Sequence, residues 1–145
     1  MLKKVLVTSL FASTLAFMGC ASTPKTSDTA EHLAALQQKD WVVTEINRVD
    51  VKTDASKQNL PTLRFGDSSL TGTDGCNRIM GGYSVQGKKI QFLQLAKTQM
   101  MCMDGEGITA QFNETLERVS GYKASADKLE LLDDNSKVIM KFKKQ

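Results

Sequence analysis

The sequence has few of the groups on which catalytic and metal sites depend. His32 is its only histidine, and neither a second histidine nor a nearby cysteine stands beside it to complete a catalytic pair or a ligand set. No glycine-rich phosphate loop and no C-x-x-C pair occurs. With no recognisable catalytic constellation, we predict a protein that is not an enzyme and that holds neither a metal nor a cofactor.

Net charge is small as well. The formal net charge is +3 at pH 7, but Lys3 and Lys4 belong to an N-terminal segment that we expect to be removed. About +1 then remains, which is too little for a nucleic-acid partner. The composition, 41% hydrophobic and 24% charged, is ordinary for a globular chain. A length of 145 residues allows one domain.

The run of 14 uncharged residues that precedes Gly19 and Cys20 is too short to cross a bilayer. It covers residues 5–18, whereas a membrane-spanning helix needs roughly 20 residues. Lys3 and Lys4 precede it and Gly19 follows, which predicts a signal peptide over residues 1–19. Residues 16–20 (AFMGC) resemble a bacterial lipobox, so Cys20 is predicted to become the diacylated N-terminal residue. The alternative is ordinary cleavage nearby, which leaves Cys20 as a free thiol.

Small and polar residues follow Cys20. They predict a flexible, lipid-anchored tether over residues 20–37, with a short helix at 31–39 suggested by Leu33 and Leu36. His32 is interpreted as a solvent-facing residue of this turn. The predicted location is the periplasmic face of the cell envelope, with the membrane as a partner. Ala21 favours the outer membrane, because an Asp there would resemble an inner-membrane retention signal in enteric-type bacteria.

Residues 38–145 are predicted to form the domain. Alternating apolar residues indicate short strands at 41–46, 63–65, 70–73, 81–85, 88–92, 128–131 and 138–142. Gly87 and residues 133–136 are hairpin signals. One amphipathic helix is predicted from a stripe of apolar residues, with Asp104 as its cap and Gly121 as its stop: Ile108, Phe112, Leu116 and Val119. The fold class is therefore α+β, an antiparallel curved or barrel-like β-sheet with one packed amphipathic helix.

The chain has three cysteines. If Cys20 carries lipid, Cys76 and Cys102 remain as an even pair in an oxidising compartment, and we predict a structural disulfide between them. A buried reduced pair and a redox pair are the alternatives. Against redox function, no histidine or basic cluster flanks the two residues to lower a thiol pKa.

Three segments resemble the META domain family, typified by a heat-inducible, HslJ-like lipoprotein: residues 73–78 (TDGCNR), 81–83 (GGY) and 98–102 (TQMMC). The resemblance covers about residues 40–143. It implies a similar fold and a poorly defined activity, with links to heat induction, to novobiocin resistance and to a fold like that of secretin pilot lipoproteins. The sequence departs from the family at Arg48, where Gly is usual after Asn47, and at Gln99, where Arg is common.

Asn77 and Arg78 are the candidate binding residues. Asn77 is interpreted as satisfying backbone groups of its loop and Arg78 as pairing with a carboxylate, while the functional alternative is an anion-recognition point. Four methionines near the cysteines could suggest a soft-metal site, but no histidine or M-x-x-M ladder supports one, and methionine is a common gap filler: Met80, Met100, Met101 and Met103.

Two functions follow from these observations. The first is a non-catalytic cell-envelope lipoprotein that binds or supports an envelope protein or lipid and is related to stress or antibiotic resistance. The alternative is an envelope enzyme or inhibitor that uses loop residues near Cys76 and Cys102.

Overall fold

Two helices and nine strands make up the described part of the chain. The computed structural model describes residues 26–52, 59–102 and 106–145. The predicted signal peptide, Cys20 and Asp104 lie outside these residues. The elements are α1 (Thr26–Leu36), β1 (Asp40–Ile46), β2 (Val49–Asp50), β3 (Thr62–Phe65), β4 (Ser69–Thr73), β5 (Arg78–Gln86), β6 (Lys89–Lys97), α2 (Glu106–Leu116), β7 (Gly121–Ala124), β8 (Lys128–Leu132) and β9 (Val138–Lys144).

The strands form one antiparallel sheet that curves into a ring. Their order is β2-β1-β3-β4-β5-β6-β7-β8-β9, and β1 also pairs with β9, which closes the ring. The pairing between β6 and β7 is the shortest in the sheet, with a single residue pair, Lys89 opposite Gly121. The predicted antiparallel, curved sheet is confirmed. The described chain has two helices, α1 near the short helix expected at 31–39 and α2 near the expected amphipathic helix. Neither helix of the described chain is long and apolar enough to span a membrane.

Period-two alternation places the apolar side chains inside the ring. Trp41 and Val43, two residues apart in β1, are both fully buried. Tyr83 and Ile90 are buried on the facing strands of the first predicted hairpin, and Phe92 packs against the same core. The largest fully buried side chains are Trp41, Tyr122, Phe65, Phe112, Leu36, Ile46, Leu63, Leu70, Ile79, Leu129, Leu131 and Met140.

Helix α1 differs from the predicted tether. It begins at Thr26 and ends at Leu36, earlier than the helix expected at 31–39, and it occupies much of the segment expected to be flexible. Leu36 is fully buried and its carbonyl accepts a hydrogen bond from Trp41 Nε1 at 2.9 Å. Gln37 Nε2 donates to the Tyr83 hydroxyl at 2.7 Å. These contacts with residues of the ring stabilise a helix that composition alone does not favour, and they attach it to the sheet.

Helix α2 ends one turn before its predicted stop. The expected helix ran to Val119, but α2 ends at Leu116, where i→i−3 bonds to the carbonyls of Thr115 and Leu116 tighten the chain. Gly121 is not a helix cap; it begins β7 and pairs with Leu132. The apolar stripe is confirmed at Phe112 and Leu116, which are buried in the core.

Candidate functional site

The two signature segments meet at one end of the ring. Cys76 follows β4 and Cys102 follows β6, and the structure joins them as a disulfide with their Cα atoms 5.9 Å apart. Backbone contacts align the segments further: Arg78 N donates to Thr98 Oγ1 at 3.0 Å, and Thr98 N donates to the Arg78 carbonyl at 3.1 Å. Whether the bond is present in the mature protein stays a prediction.

Asp74 is the centre of this region, and the sequence analysis gave it no role. Its side chain is fully buried. Oδ1 accepts the backbone N–H groups of Cys76 at 2.9 Å and Asn77 at 2.6 Å. Oδ2 accepts the side-chain amides of Asn77 at 3.2 Å and Asn113 at 2.8 Å. A carboxylate offers about four lone-pair positions, so these four bonds saturate it.

The pKa of Asp74 reflects this environment. Burial alone raises the pKa of its carboxyl group. The hydrogen bonds from Asn113, from the backbone of Asn77 and Cys76, and from the Asn77 amide outweigh burial and hold the pKa below its usual value of 3.8. Asp74 is therefore ionised at neutral pH and anchors the loop as an acceptor.

Helix α2 is tied to the same residue. Thr109 Oγ1 donates to the Asp74 carbonyl at 3.1 Å, and Asn113 donates to its carboxylate. These two side chains are four residues apart and lie on one side of the helix. Their spacing beside the apolar stripe is the sequence signal that could have revealed a second, polar contact face on α2.

Asn77 has the structural role that was expected of it. Its Oδ1 accepts the backbone N–H of Met100 at 2.7 Å, while its amide donates to Asp74. It thereby links the segment after β4 to the segment after β6. The adjacent Gly75 has φ +96°, and a Cβ there would lie 2.7 Å from the Asn59 carbonyl oxygen, so the loop requires glycine at this position.

Arg78 differs from its expected role. Its side chain is exposed, and none of the ion pairs within the described ranges involves it. The predicted pairing with a carboxylate is therefore absent from that part of the chain. The structure brings Asn77 together with both cysteines but points Arg78 away, along the outer surface of β5.

A groove of about 580 Å³ opens beside the disulfide. It is lined by Cys76, Asn77, Met100, Met101, Cys102, Thr109 and Ala110. Met100 and Met101 are 61% and 101% exposed. They therefore do not fill gaps in the core, as was expected from their residue type. In the described residues no group of three or more His, Cys, Asp and Glu side chains is placed to hold a metal ion. His32 lies away from this groove, half-buried on α1.

A second polar cluster fastens the turn after β1. Asn47 and Arg48 have φ values of 49° and 68°, which explains why glycine suits the second position. Asn47 Nδ2 donates to Thr115 Oγ1 at 2.9 Å, and Arg118 donates to Asn47 Oδ1 at 2.8 Å. This cluster fixes the end of α2 to the ring.

The model of the META domain family matches residues 34–145. The chain belongs to the META domain family. The predicted recognition is confirmed, and the match begins inside α1, in agreement with the burial of Leu36. Among curated proteins none matches the chain.

Three solved structures resemble this META domain protein in fold. An NMR structure of a protein shares 24% identity, with a TM-score of 0.61, and the match covers 76% of this chain and 92% of that one. An NMR structure of a protein from Burkholderia xenovorans shares 21% identity, with a TM-score of 0.61 and coverage of 97% and 99%. A crystal structure of a DUF4847 family protein from Bacteroides vulgatus shares 15% identity, with a TM-score of 0.55 and coverage of 74% and 93%.

Proposed function

We propose that this META domain protein is a non-catalytic binding module of the cell envelope. It is anchored through Cys20 at the periplasmic face, with the outer membrane favoured, and it supports the envelope under stress or antibiotic challenge. Its binding site is the groove beside the Cys76–Cys102 disulfide. The groove holds an apolar group of an envelope protein or lipid.

The observation that carries the proposal is the saturation of the polar groups around the groove. Asp74 accepts four hydrogen bonds, and both the amide and the carbonyl of Asn77 are engaged. Thr109 donates to the Asp74 carbonyl. The thioethers of Met100 and Met101 remain as the prominent exposed groups. Flexible, polarisable methionine side chains are suited to binding apolar groups of varied shape.

An envelope enzyme is the weaker candidate. Asp74 is the one fully buried carboxylate of the described ranges, and its lowered pKa and occupied lone pairs make it a poor general base. The cysteines are joined to each other, which removes both as thiolate nucleophiles while the bond is intact. These features favour a scaffold that presents a surface.

Filling the groove tests the proposal. Ala110 lines the groove and is exposed on α2, so Ala110→Trp should occupy it without removing a polar group. Ala34→Trp, at an exposed position of α1, is the matched control. In a deletion strain under envelope stress, we expect the wild type and Ala34→Trp to restore survival and Ala110→Trp to fail. Equal expression and unfolding midpoints of all three proteins are required.

Anchoring is tested in the same strain. Cys20→Ala should rescue poorly at equal expression, because the lipid raises the local concentration of the groove near its partner. Full rescue by Cys20→Ala would contradict the anchored module. Full rescue by Ala110→Trp would remove the groove from the proposal. Loss of rescue on one Asp, Ser or Lys substitution that leaves the fold intact would indicate an enzyme.

A further inference from the structure

The outer surface of strands β5 and β6 combines exposed apolar side chains with positive charge. Between Gly75 and Cys102 the sequence has no Asp and no Glu, although the whole chain has 16. The same stretch carries four cations: Arg78, Lys88, Lys89 and Lys97. Such a separation of charge in a chain of small net charge creates a local positive field.

The strand geometry places two of these cations and two apolar residues on the outer face. Ile79 and Tyr83 point into the core from β5, so Arg78 and Met80 point outward. Ile90 points inward from β6, so Lys89 and Leu93 point outward. Met80 and Leu93 are 51% and 41% exposed. Gly82 pairs with Leu93, and because glycine has no side chain it leaves the leucine uncovered.

Exposed apolar side chains are concentrated in this part of the molecule. Among the described residues, five large hydrophobic side chains are prominently exposed. Met80 and Leu93 lie on the hairpin, and Met100 and Met101 follow β6 directly. The fifth, Val49, lies on β2 at 62% exposure. A cluster of this kind marks an interaction surface, whereas scattered single residues do not.

We propose that the outer face of β5 and β6, defined by Arg78, Met80, Lys89 and Leu93, docks on an anionic phospholipid surface. The cations contact lipid phosphates, and each adds to the attraction towards an anionic membrane. Met80 and Leu93 enter the boundary between headgroups and acyl chains. Two strands that carry cations and no acidic residue, with apolar protrusions, fit a lipid phosphate layer, which presents negative charge over an apolar interior. Asp133 and Asp134 line a pocket beside Lys89, at the turn end of the hairpin, so the strands themselves carry the charge argument. This contact is separate from the groove, so either can exist without the other.

The test uses a tryptophan reporter in the full chain. Leu93→Trp places the reporter on the outer face, and Val49→Trp is the matched control at an exposed apolar position elsewhere. The native Trp41 is fully buried and contributes equally to both variants. The proteins are added to vesicles of phosphatidylglycerol or phosphatidylcholine with brominated acyl chains. The comparison holds with or without the lipid anchor, because both variants share one N-terminus.

We expect bromine to quench Leu93→Trp at least about threefold more than Val49→Trp in phosphatidylglycerol. The ratio should fall to about one in phosphatidylcholine, and also at about 0.5 M salt, where charge is screened. Adding Arg78→Glu and Lys89→Glu to the reporter should abolish the excess quenching. Lys128→Glu with Lys143→Glu, at exposed paired positions of β8 and β9, should leave it unchanged.

Equal quenching of the two reporters in phosphatidylglycerol would overturn the proposal. Quenching that persists after Arg78→Glu and Lys89→Glu would overturn the charge-dependent docking. A photo-crosslinking residue at position 93 that captures an acidic envelope protein and no lipid would assign the face to a protein partner, which also contradicts lipid docking. Each of these results leaves the rescue experiments on the groove unaffected.

Discussion

The β5–β6 and β8–β9 hairpins have the same architecture and opposite surfaces. In β8–β9, Leu129, Leu131 and Phe142 are buried, and Lys141 is paired with Glu45 at 2.9 Å. In β5–β6, the register shifts between Met80 and Gly82, and large apolar side chains remain exposed. The β8–β9 hairpin closes the ring against β1. The β5–β6 hairpin pairs with β4, is tied at one end by the disulfide and leaves large apolar side chains exposed, so we expect its outer face to contribute less to stability.

Removing the disulfide, which holds one end of β5–β6, should cause the largest loss in the free energy of unfolding. Cys76 and Cys102 are 26 residues apart and bracket β5–β6. Replacing both by Ser should lower the free energy of unfolding by about 3.5 kcal/mol in the chain-entropy model. Urea denaturation of the oxidised protein and of the double variant measures the difference. Two thiols that alkylate freely in the unreduced mature protein would show that the bond is absent.

The same substitution in the two hairpins should have unequal costs. Leu131 is fully buried in β8, so Leu131→Ala should lower the free energy of unfolding by about 3 kcal/mol. Leu93 is 41% exposed in β6, so Leu93→Ala should cost less than about 0.5 kcal/mol. Urea unfolding of both variants checks the ratio. Comparable losses would mean that the outer face of β5–β6 is covered.

Asp74→Asn should weaken the loops that hold β5–β6. The amide offers one acceptor oxygen to four donors, so about 2 kcal/mol of unfolding free energy should be lost. Asp134→Asn, at an exposed turn position, is the control. A variant as stable as the wild type would show that the four hydrogen bonds contribute little.

Asp74→Asn should also change how the stability of the protein depends on pH in acid. The folded pKa of Asp74 is lowered, so its stabilising contribution is complete above the usual value of 3.8 and is lost as the pH falls through the lower folded pKa. The wild type should therefore lose more stability than Asp74→Asn as the pH falls below 3.8. Parallel stability curves for the two proteins would contradict this role.

Arg48→Gly should have the smallest effect, and it should be a gain. Arg48 has φ +68° in the turn between β1 and β2, a conformation that glycine adopts without strain, so stability should rise by about 1 kcal/mol. Lys123→Gly, within β7, lacks a positive φ and should be destabilising. Thermal unfolding separates the two variants. A loss on Arg48→Gly would show that its side chain contributes more than the turn strain costs.

The sequence predicted the fold where local patterns are strong. Gly87, with φ +61°, and the turn at 133–136 mark both hairpins, and alternation indicated the buried faces of their strands. It missed β7, which has one buried apolar residue, Tyr122. It also misjudged α1, because the burial of Leu36 against the ring depends on residues far along the chain.

The sequence identified most residues of the candidate site, but it did not reveal what each of them does. The resemblance identified Cys76, Asn77 and Cys102 as parts of one region, and the structure brings them together. Asp74 was visible within the quoted motif, but its importance depends on Asn113, 39 residues away. The exposure of Met100 and Met101 is likewise a tertiary property. Composition alone favoured burial for them.

The most direct test measures, for each variant, the rescue of a deletion strain and the free energy of unfolding. It shows whether the signature residues form a binding surface or catalyse a reaction. For Asn77→Ala, which breaks the link to Met100, the account predicts loss of rescue only in proportion to lost stability. Met101 is fully exposed at the groove, so Met101→Asp should keep wild-type stability and lose rescue. The opposite pattern, with Asn77→Ala stable but inactive and Met101→Asp fully active, would contradict the account.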